Sequence, residues 1–397
     1  MPEILQRLTG WDDENRRWIE EGLQRVRRTV IPGENGRDQI DGRSLWNFGT
    51  NDYLGLARDP RVVAAATEAL SKYGAGARAS PVVVGRTGIH EELEARLAEF
   101  EGTAAALVFP SGYAANTGVI AALVGAEDVV FCDRLNHASL VDGCRLSGAR
   151  LRVFPHRDVN ALENDLQKQK SQSRRRLIVT DSVFSMDGDW APLKDLCDLA
   201  DRYEAIVLVD EAHATGLYGP HGRGLAEHFG VEDRCLRIGT LSKALGSQGG
   251  FLAGDRDLID GLWNRGRTQM FSTALTPAAC GAVVAALRII REEPQRREDL
   301  LQRCRDFTNG LRTAGVLPSD YAPEEFGPIV PIPIGSAERA LEKAAQLAER
   351  GYLVPAIRPP TVPRDSSRLR VSLSWSIPPE VINELKHFLM CDTLKRP

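Results

Sequence analysis

One apolar segment of the chain ends in a carboxylate that can hold a cation. Residues 206–210 are Ile-Val-Leu-Val-Asp, and His213 follows Asp210 by three positions. Open α/β sheets bind ligands outside the carboxyl ends of their strands, so both side chains can face a ligand there. Taken alone, this pair is equally compatible with a helix cap at Asp210 and a surface loop at His213.

A second apolar segment, 236–239, leads to a lysine that is preceded by hydroxyl groups. Thr240 and Ser242 stand just before Lys243. A lysine at a strand end in a dry pocket can form a Schiff base with a carbonyl compound, and the hydroxyls can donate to a phosphate. A single lysine is usually a surface residue. A strand that ends in Asp210 with His213 nearby, followed by a strand that leads to Thr240, Ser242 and Lys243, rarely arises by chance. This combination favours a binding site.

Two further polar groups follow apolar segments earlier in the chain. Ser111, Gly112 and Tyr113 open a predicted helix, whose free N–H groups and positive dipole end suit a phosphate. Such turns are common, and no GxGxxG or GxxxxGK[ST] pattern occurs there. His137 follows another segment and can stack on a flat ring, although a lone histidine is more often structural.

The elements that must position these residues alternate between strand and helix. This alternation predicts an α/β fold with a mostly parallel, seven-stranded sheet, in a large domain over 59–290. The predicted strands are 105–109, 129–132, 151–154, 177–180, 206–210, 236–239 and 250–253.

The two ends of the chain follow different patterns. An amphipathic, charged pattern predicts a helix from about Pro2 to Val30, within an N-terminal helical arm over 1–58. After a long helix at 277–293, the pattern predicts a smaller C-terminal α/β domain over 291–397. Its predicted strands are 329–334, 352–357 and 369–374, and its predicted helices are 337–349 and 379–389.

Composition excludes several classes of function. Among 397 residues, 50 Lys and Arg stand against 54 Asp and Glu, a balance that does not favour nucleic-acid binding. No apolar run is long enough to cross a bilayer. Neither the seven cysteines nor the seven histidines show metal-ligand spacing. We therefore expect a cytoplasmic enzyme for small molecules, without a metal. A nicotinamide dehydrogenase would need a glycine fingerprint that is absent.

The order of several motifs resembles the α-oxoamine synthases, a family of pyridoxal-phosphate (PLP) enzymes of fold type I, and within it the biotin-pathway branch. The resemblance runs from about Phe48 to the end of the chain. The motifs are Asn51-Asp-Tyr53-Leu-Gly55, Ser111-Gly-Tyr-Ala-Ala-Asn116, His137-Ala-Ser139-Leu, Phe184-Ser185-Met-Asp187-Gly-Asp189, Asp210-Glu-Ala-His213, Ser242-Lys243 and Ile357-Arg358-Pro-Pro-Thr361-Val-Pro363.

The resemblance implies a role for each matching residue. Lys243 would hold the cofactor and move a proton, Asp210 would pair with the pyridinium nitrogen, His213 would bind the ring hydroxyl and His137 would stack on the ring. The other implied cofactor contacts are Ser111, Gly112, Tyr113, Ser185, Thr240 and Ser242, with Ser272 and Thr273 supplied by the neighbouring subunit of a homodimer whose active site lies at the interface. The implied substrate contacts are Asn51, Arg358 and Thr361.

The implied reaction is a decarboxylative condensation of a small amino acid with an acyl thioester. In the branch that it resembles, these are L-alanine and a pimeloyl thioester of coenzyme A or a carrier protein. Glycine- or serine-using condensation and ordinary transamination remain alternatives. A non-enzymatic scaffold subunit would lack Lys243, and a DNA-binding regulator would need more chain before Trp46.

Two departures from the family pattern affect substrate recognition. Arg78 stands where a small residue is expected, and Trp375 stands in a segment that lacks the usual alanine-histidine. Each change either alters the substrate side of the pocket or only repacks its surroundings.

Overall fold

A computed structural model describes residues 10–169, 173–318, 321 and 325–393. The chain divides into two compact units, Asn51–Gln302 and a second unit made of Met1–Thr50 with Arg303–Pro397. We call them the central unit and the terminal unit. The domain limits after residues 58 and 290 stay predictions.

Strands and helices alternate along most of the chain. The strands are β1 (Val30–Ile31), β2 (Arg37–Ile40), β3 (Arg43–Asn47), β4 (Ala105–Phe109), β5 (Val129–Asp133), β6 (Arg150–Phe154), β7 (Arg176–Asp181), β8 (Ile206–Asp210), β9 (Leu236–Thr240), β10 (Gly250–Gly254), β11 (Ile329–Gly335), β12 (Tyr352–Leu353), β13 (Ala356–Ile357) and β14 (Ser367–Ser372). The helices are α1 (Trp11–Glu20), α2 (Pro60–Tyr73), α3 (Gly88–Glu101), α4 (Gly112–Leu123), α5 (Ala138–Leu146), α6 (Val159–Gln169), α7 (Leu193–Tyr203), α8 (Leu225–Phe229), α9 (Arg256–Arg265), α10 (Arg267–Met270), α11 (Pro277–Glu292), α12 (Pro294–Thr313), α13 (Ala337–Glu349) and α14 (Pro379–Thr393).

The central unit is built on a seven-stranded sheet, which confirms the predicted α/β class. The strand order is β4-β10-β9-β8-β7-β5-β6. Strand β10 is antiparallel to both of its neighbours, and the other pairings are parallel. Strands β4 and β9 therefore run in the same direction, and the segments after them leave the same edge of the sheet.

The middle of this sheet is apolar because helices cover both of its faces. Every residue of β5 and β7 is buried, as expected for strands of a covered parallel sheet. The buried cluster on one face joins Leu107, Val130, Val179 and Leu208 to Ile120 of α4. This packing holds the strand ends, and the polar residues on them, in fixed positions.

The terminal unit contains two small sheets, of order β1-β2-β3-β12 and β11-β14-β13. The prediction of one strand over 352–357 is wrong, because this segment serves both sheets. Residues of β12 pair with β3, whereas those of β13 pair with β14. Pro355 lies between them and has no N–H to donate to a sheet.

The N-terminal segment differs from the predicted long helix. Residues 1–9 lie outside the described residues. The helix α1 ends at Glu20, and Gly22 with φ of 64° follows it. Three strands, β1 to β3, follow where the helical pattern predicted none. No helix in the described part of the chain is long and apolar enough to cross a membrane.

Candidate active site

Four strands of the central sheet end on polar residues at one edge. Strands β5, β7, β8 and β9 end on Asp133, Asp181, Asp210 and Thr240. They run in parallel, so their carboxyl ends meet at this edge, and Asp181 lies directly beside Asp210 in the register. The edge therefore collects carboxylates and a hydroxyl where ligands of such sheets bind.

A chain of hydrogen bonds joins Asp210 to His137. The Nδ2 atom of Asn116 donates to Asp210 Oδ2 at 2.6 Å and to Ser139 Oγ at 2.9 Å. The Ser139 hydroxyl is 2.7 Å from His137 Nδ1. The second carboxylate oxygen of Asp210 accepts from the Ala212 N–H at 2.8 Å. Asp210 is buried, and donors hold both of its oxygens in place.

Asp181 adds a second buried carboxylate to the same edge. Its Oδ2 accepts from the backbone N–H of His137 at 2.7 Å, so it positions the start of α5. Burial, together with the neighbouring charge of Asp210, raises the pKa of Asp181 well above its usual value. Two adjacent carboxylates in a dry site disfavour double ionisation, and a cation beside them offsets this repulsion.

Lys243 lies in the loop after β9 and supplies positive charge near these groups. Desolvation lowers the pKa of His137, the charge of Asp210 opposes this effect, and the charge of Lys243 lowers the pKa further. The charge of Lys243 also opposes the rise in the pKa of Asp181 without cancelling it. The lysine is partly buried. The charges of Lys243 and Asp210 therefore both act on His137, so these three side chains form one electrostatic group.

The start of α4 packs closely against the lysine loop. A side-chain carbon at Gly112 would lie 3.1 Å from Thr240 Oγ1, so the two segments nearly touch. Thr240 Oγ1 is 2.8 Å from the Ser242 hydroxyl. Ser111 caps α4 by accepting from the Ala114 N–H at 3.0 Å. The hydroxyls and the helix N-terminus form a cradle that suits an anion.

His213 contacts a buried tyrosine at the same edge. Its Nδ1 is 2.6 Å from the Tyr53 hydroxyl, and that hydroxyl lies 3.3 Å from Asn51 Oδ1. Tyr53 and His213 are both buried. The contact with Tyr53 therefore fixes the orientation of the His213 ring at this edge of the sheet.

Tyr113, Ser185, Ser272 and Thr273 are the other predicted cofactor contacts in the central unit. The hydroxyl of Tyr113 donates to Asp142. Ser185 is partly buried after β7, and Ser272 and Thr273 follow α10.

Arg358 and Thr361 belong to the terminal unit. Arg358 donates there to the carbonyls of Gly22 and Gln24, while Arg25 donates to Thr361 Oγ1 at 3.1 Å. Their roles toward substrate stay predictions.

The residues of the central unit fit PLP chemically. The paired carboxylates Asp181 and Asp210 favour a protonated ring nitrogen, and the cradle at Gly112 favours a phosphate. The Oδ1 atom of Asn116 is buried without a hydrogen-bond partner among the described residues. A buried acceptor of this kind usually has a partner in the functional protein.

Sequence reasoning missed Asn116, Ser139, Asp181 and Tyr53 as site residues. For Asp181 the signal was present, because its strand ends in aspartate as β8 does. Asn116 lies one helical turn after Gly112, on the helix face that looks at the sheet edge. Ser139 contacts Asn116, 23 positions away, and Tyr53 contacts His213, 160 positions away, and only the folded chain shows these two contacts.

Comparisons with known proteins agree with this arrangement. Residues 43–389 match the aminotransferase class I and II family. The 8-amino-7-oxononanoate synthase of Anaeromyxobacter dehalogenans strain 2CP-1 is 51% identical over 354 residues, which cover 89% of this chain and 87% of that protein.

Two solved enzyme structures illustrate the similarity in fold. A serine palmitoyltransferase variant from S. paucimobilis with bound PLP and myriocin is 30% identical, with a TM-score of 0.90 over 98% of each chain. The 8-amino-7-oxononanoate synthase of Francisella tularensis is 25% identical, with a TM-score of 0.74 over 88% of this chain and 98% of that one.

The fold and the site together define a PLP-dependent enzyme of fold type I. The chain belongs to the aminotransferase class I and II family and, within it, to the α-oxoamine synthases. It is a PLP-dependent acyltransferase.

Proposed function

We propose that this enzyme joins L-alanine to a pimeloyl thioester with loss of carbon dioxide, which is the 8-amino-7-oxononanoate synthase reaction of biotin synthesis. The observation that carries the proposal is the 51% identity to a relative of that name over 89% of this chain. Alanine, the thioester and one proton give the α-amino ketone, carbon dioxide and the free thiol.

In the proposed reaction, the side chains of the central unit hold the cofactor and move protons. When bound, PLP supplies an aldehyde for amines and a ring that draws electrons from the amino-acid Cα. Asp210 holds a proton on the ring nitrogen by its charge. Lys243 takes the proton from the alanine Cα at its Nζ and later returns one, and a single amine near neutral pH can do both.

Arg358 is proposed to bind the carboxylate of the amino acid. A guanidinium can bind both carboxylate oxygens at once, and Pro359 and Pro360 stiffen the backbone that follows it. Arg358→Lys keeps the charge and loses this fork. We expect a KM for alanine raised about tenfold or more with little change in PLP affinity, measured by steady-state kinetics and by cofactor titration.

Arg25 is proposed to bind the distal carboxylate of the pimeloyl chain. It donates to Thr361, and desolvation together with the charge of Arg25 lowers the pKa of Arg358, so the terminal unit has two cations close together. In this proposal, the amino-acid carboxylate binds Arg358 and the distal pimeloyl carboxylate binds Arg25, and the two negative charges relieve the repulsion between the arginines. Arg78, which is exposed, is the alternative contact.

The test compares pimeloyl-CoA with octanoyl-CoA, each with alanine, glycine and serine. We expect alanine with pimeloyl-CoA to give the highest kcat/KM, and Arg25→Met to reduce kcat/KM for pimeloyl-CoA but not for octanoyl-CoA. Equal or higher kcat/KM with octanoyl-CoA would overturn the pimeloyl assignment and leave the condensation chemistry standing.

A serine-using condensation is the second candidate. It is favoured by the serine palmitoyltransferase structure, which has a TM-score of 0.90 and covers 98% of this chain. The highest rate with serine in the same comparison would establish it. Conversion of the bound cofactor to its amine form, without release of carbon dioxide, would instead indicate transamination.

We further propose a cytoplasmic homodimer whose active site lies at the subunit interface.

A further inference from the structure

A large cavity in the central unit lies apart from the candidate active site. Its volume is about 780 Å³, within the range of pockets that bind small molecules. Helices α2, α3 and α11 line it, together with the start of α12 and the loop before α8. None of its lining residues belongs to the predicted catalytic, cofactor-binding or substrate-binding set.

Six arginines and three glutamates line this cavity, and carboxylates within the protein pair with four of the arginines. Glu99 accepts from Arg96 at 3.0 Å and from Arg291 at 2.7 Å. Arg61 pairs with Asp59 at 2.8 Å, and Arg223 pairs with Glu227 at 3.8 Å. These four arginines already have anionic partners, so they do not require a ligand.

Arg297 has no such partner. Its side chain is buried, with 8% of the residue exposed, and it donates to the carbonyls of Pro220 and Ile290. Within the described part of the chain, no carboxylate lies within ion-pair distance of it. Burial lowers the pKa of Arg297, and the charges of Glu298 and Glu227 oppose this effect only in part. An anion in the cavity would supply a partner in direct contact with the guanidinium.

The rest of the lining indicates the kind of anion. Phe100, Val284 and Leu287 give the cavity an apolar wall. Glu68 and Glu92 are exposed and disfavour highly charged ligands. One buried guanidinium beside an apolar wall suits a ligand with one negative group and a hydrocarbon chain. We propose that this cavity binds a small aliphatic carboxylate, at a site separate from catalysis.

Calorimetric titration of the PLP-loaded enzyme with octanoate tests the proposal. Octanol has the chain without the charge, and inorganic phosphate has charge without the chain, so both are titrated in parallel. Arg297→Met removes the buried cation, and Arg265→Met is the control at an exposed arginine outside the cavity. Arg297→Lys keeps a cation and serves if the methionine variant does not fold.

We expect octanoate to bind more tightly than octanol or phosphate. Because Arg297→Met removes a hydrogen bond to a charged group, we expect it to weaken octanoate binding by about tenfold or more. Arg265→Met should bind octanoate as tightly as the wild type, and Arg297→Lys should bind it with intermediate affinity. Octanoate binding that is unchanged in Arg297→Met would place the anion elsewhere and overturn the proposal. If Arg297→Met does not fold, octanoate binding that is unchanged in Arg297→Lys would overturn it in the same way. Absence of octanoate binding, or equal binding of octanol or phosphate, would overturn it too.

Discussion

At the scale of single residues, the hydrogen-bonded chain Asp210–Asn116–Ser139–His137 is the most informative part of the site. The sequence predicted the two ends of this chain from residue type and strand position. It did not identify the two middle residues as site residues, because an asparagine on a helix and a serine after a cap have many ordinary roles. Their contacts span 94 and 23 positions of sequence, which no local pattern encodes.

Asn116→Ala should reduce turnover through its effect on Asp210. Asp210 would lose one of its donors, and hydrogen bonds to charged groups are worth roughly 1.5–3 kcal/mol, so we expect kcat to fall about tenfold or more. The pH dependence of the cofactor absorbance should shift as well, since the position of Asp210 would relax. Asn264→Ala, at an exposed asparagine of α9, is the control. An unchanged absorbance profile would mean that Asn116 is only structural.

Lys243 should be the residue that carries the cofactor covalently. Borohydride reduction of the PLP-loaded protein followed by peptide mapping should place the label on Lys243, because it is the lysine whose charge acts on Asp181 and His137. A label on another lysine would contradict the site assignment.

At the scale of elements, strand ends decide where the site forms. The alternation of apolar runs and helices was enough to predict all seven strands of the central sheet. The short strands β1 to β3 escaped prediction, because part of their pairing is distant in sequence. Strand β3 pairs with β2 and also with Tyr352–Leu353, about three hundred residues later. Tertiary pairing of this kind overrides local propensity.

The contact between β10 and the start of α4 should require a glycine at position 250. A side-chain carbon there would lie 2.7 Å from Gly112 Cα and from the Ser111 carbonyl oxygen, and backbone atoms cannot move aside easily. We expect Gly250→Ala to lower the free energy of unfolding by about 1–3 kcal/mol and to weaken PLP binding. Gly261→Ala, where nothing lies within 4 Å, should do neither. Urea unfolding and cofactor titration measure both effects, and equal behaviour of the two variants would refute the explanation.

His156 should make the stability of the central unit depend on pH. Burial lowers its pKa, but hydrogen bonds to Asp133 and Asp189 outweigh burial and raise it from 6.5 to about 9. The folded protein therefore binds this proton more tightly than the unfolded chain. The resulting stabilisation is complete below about pH 6.5 and is lost as the pH rises through about 9.

The His156 contribution amounts to about 3 kcal/mol, from the size of the pKa shift. His156→Gln should flatten the pH dependence of unfolding across this window, and His387→Gln, at an exposed histidine of α14, should not. A wild-type unfolding free energy that is constant over the window would contradict the assignment.

At the scale of the whole molecule, the sequence predicted the fold class, the cofactor and the family, and the fold and the comparisons confirm all three. The choice of amino acid and acyl chain was not predictable from the same reasoning. We propose that it depends on a few side chains such as Arg25, Arg78 and Trp375, and their residue types alone do not specify one substrate. Arg78 adopts φ of 67°, a conformation that favours glycine, so its presence there is a local departure with a backbone cost.

The central claim is that the enzyme forms a carbon–carbon bond to alanine and removes its carboxyl group. The most direct measurement incubates the PLP-loaded enzyme with pimeloyl-CoA and L-alanine labelled with ¹³C at the carboxyl carbon, and follows labelled carbon dioxide and free coenzyme A together. We predict equal amounts of both, with an amino-ketone product that lacks the label. Retention of the label in the product, or release of coenzyme A without labelled carbon dioxide, would contradict the account.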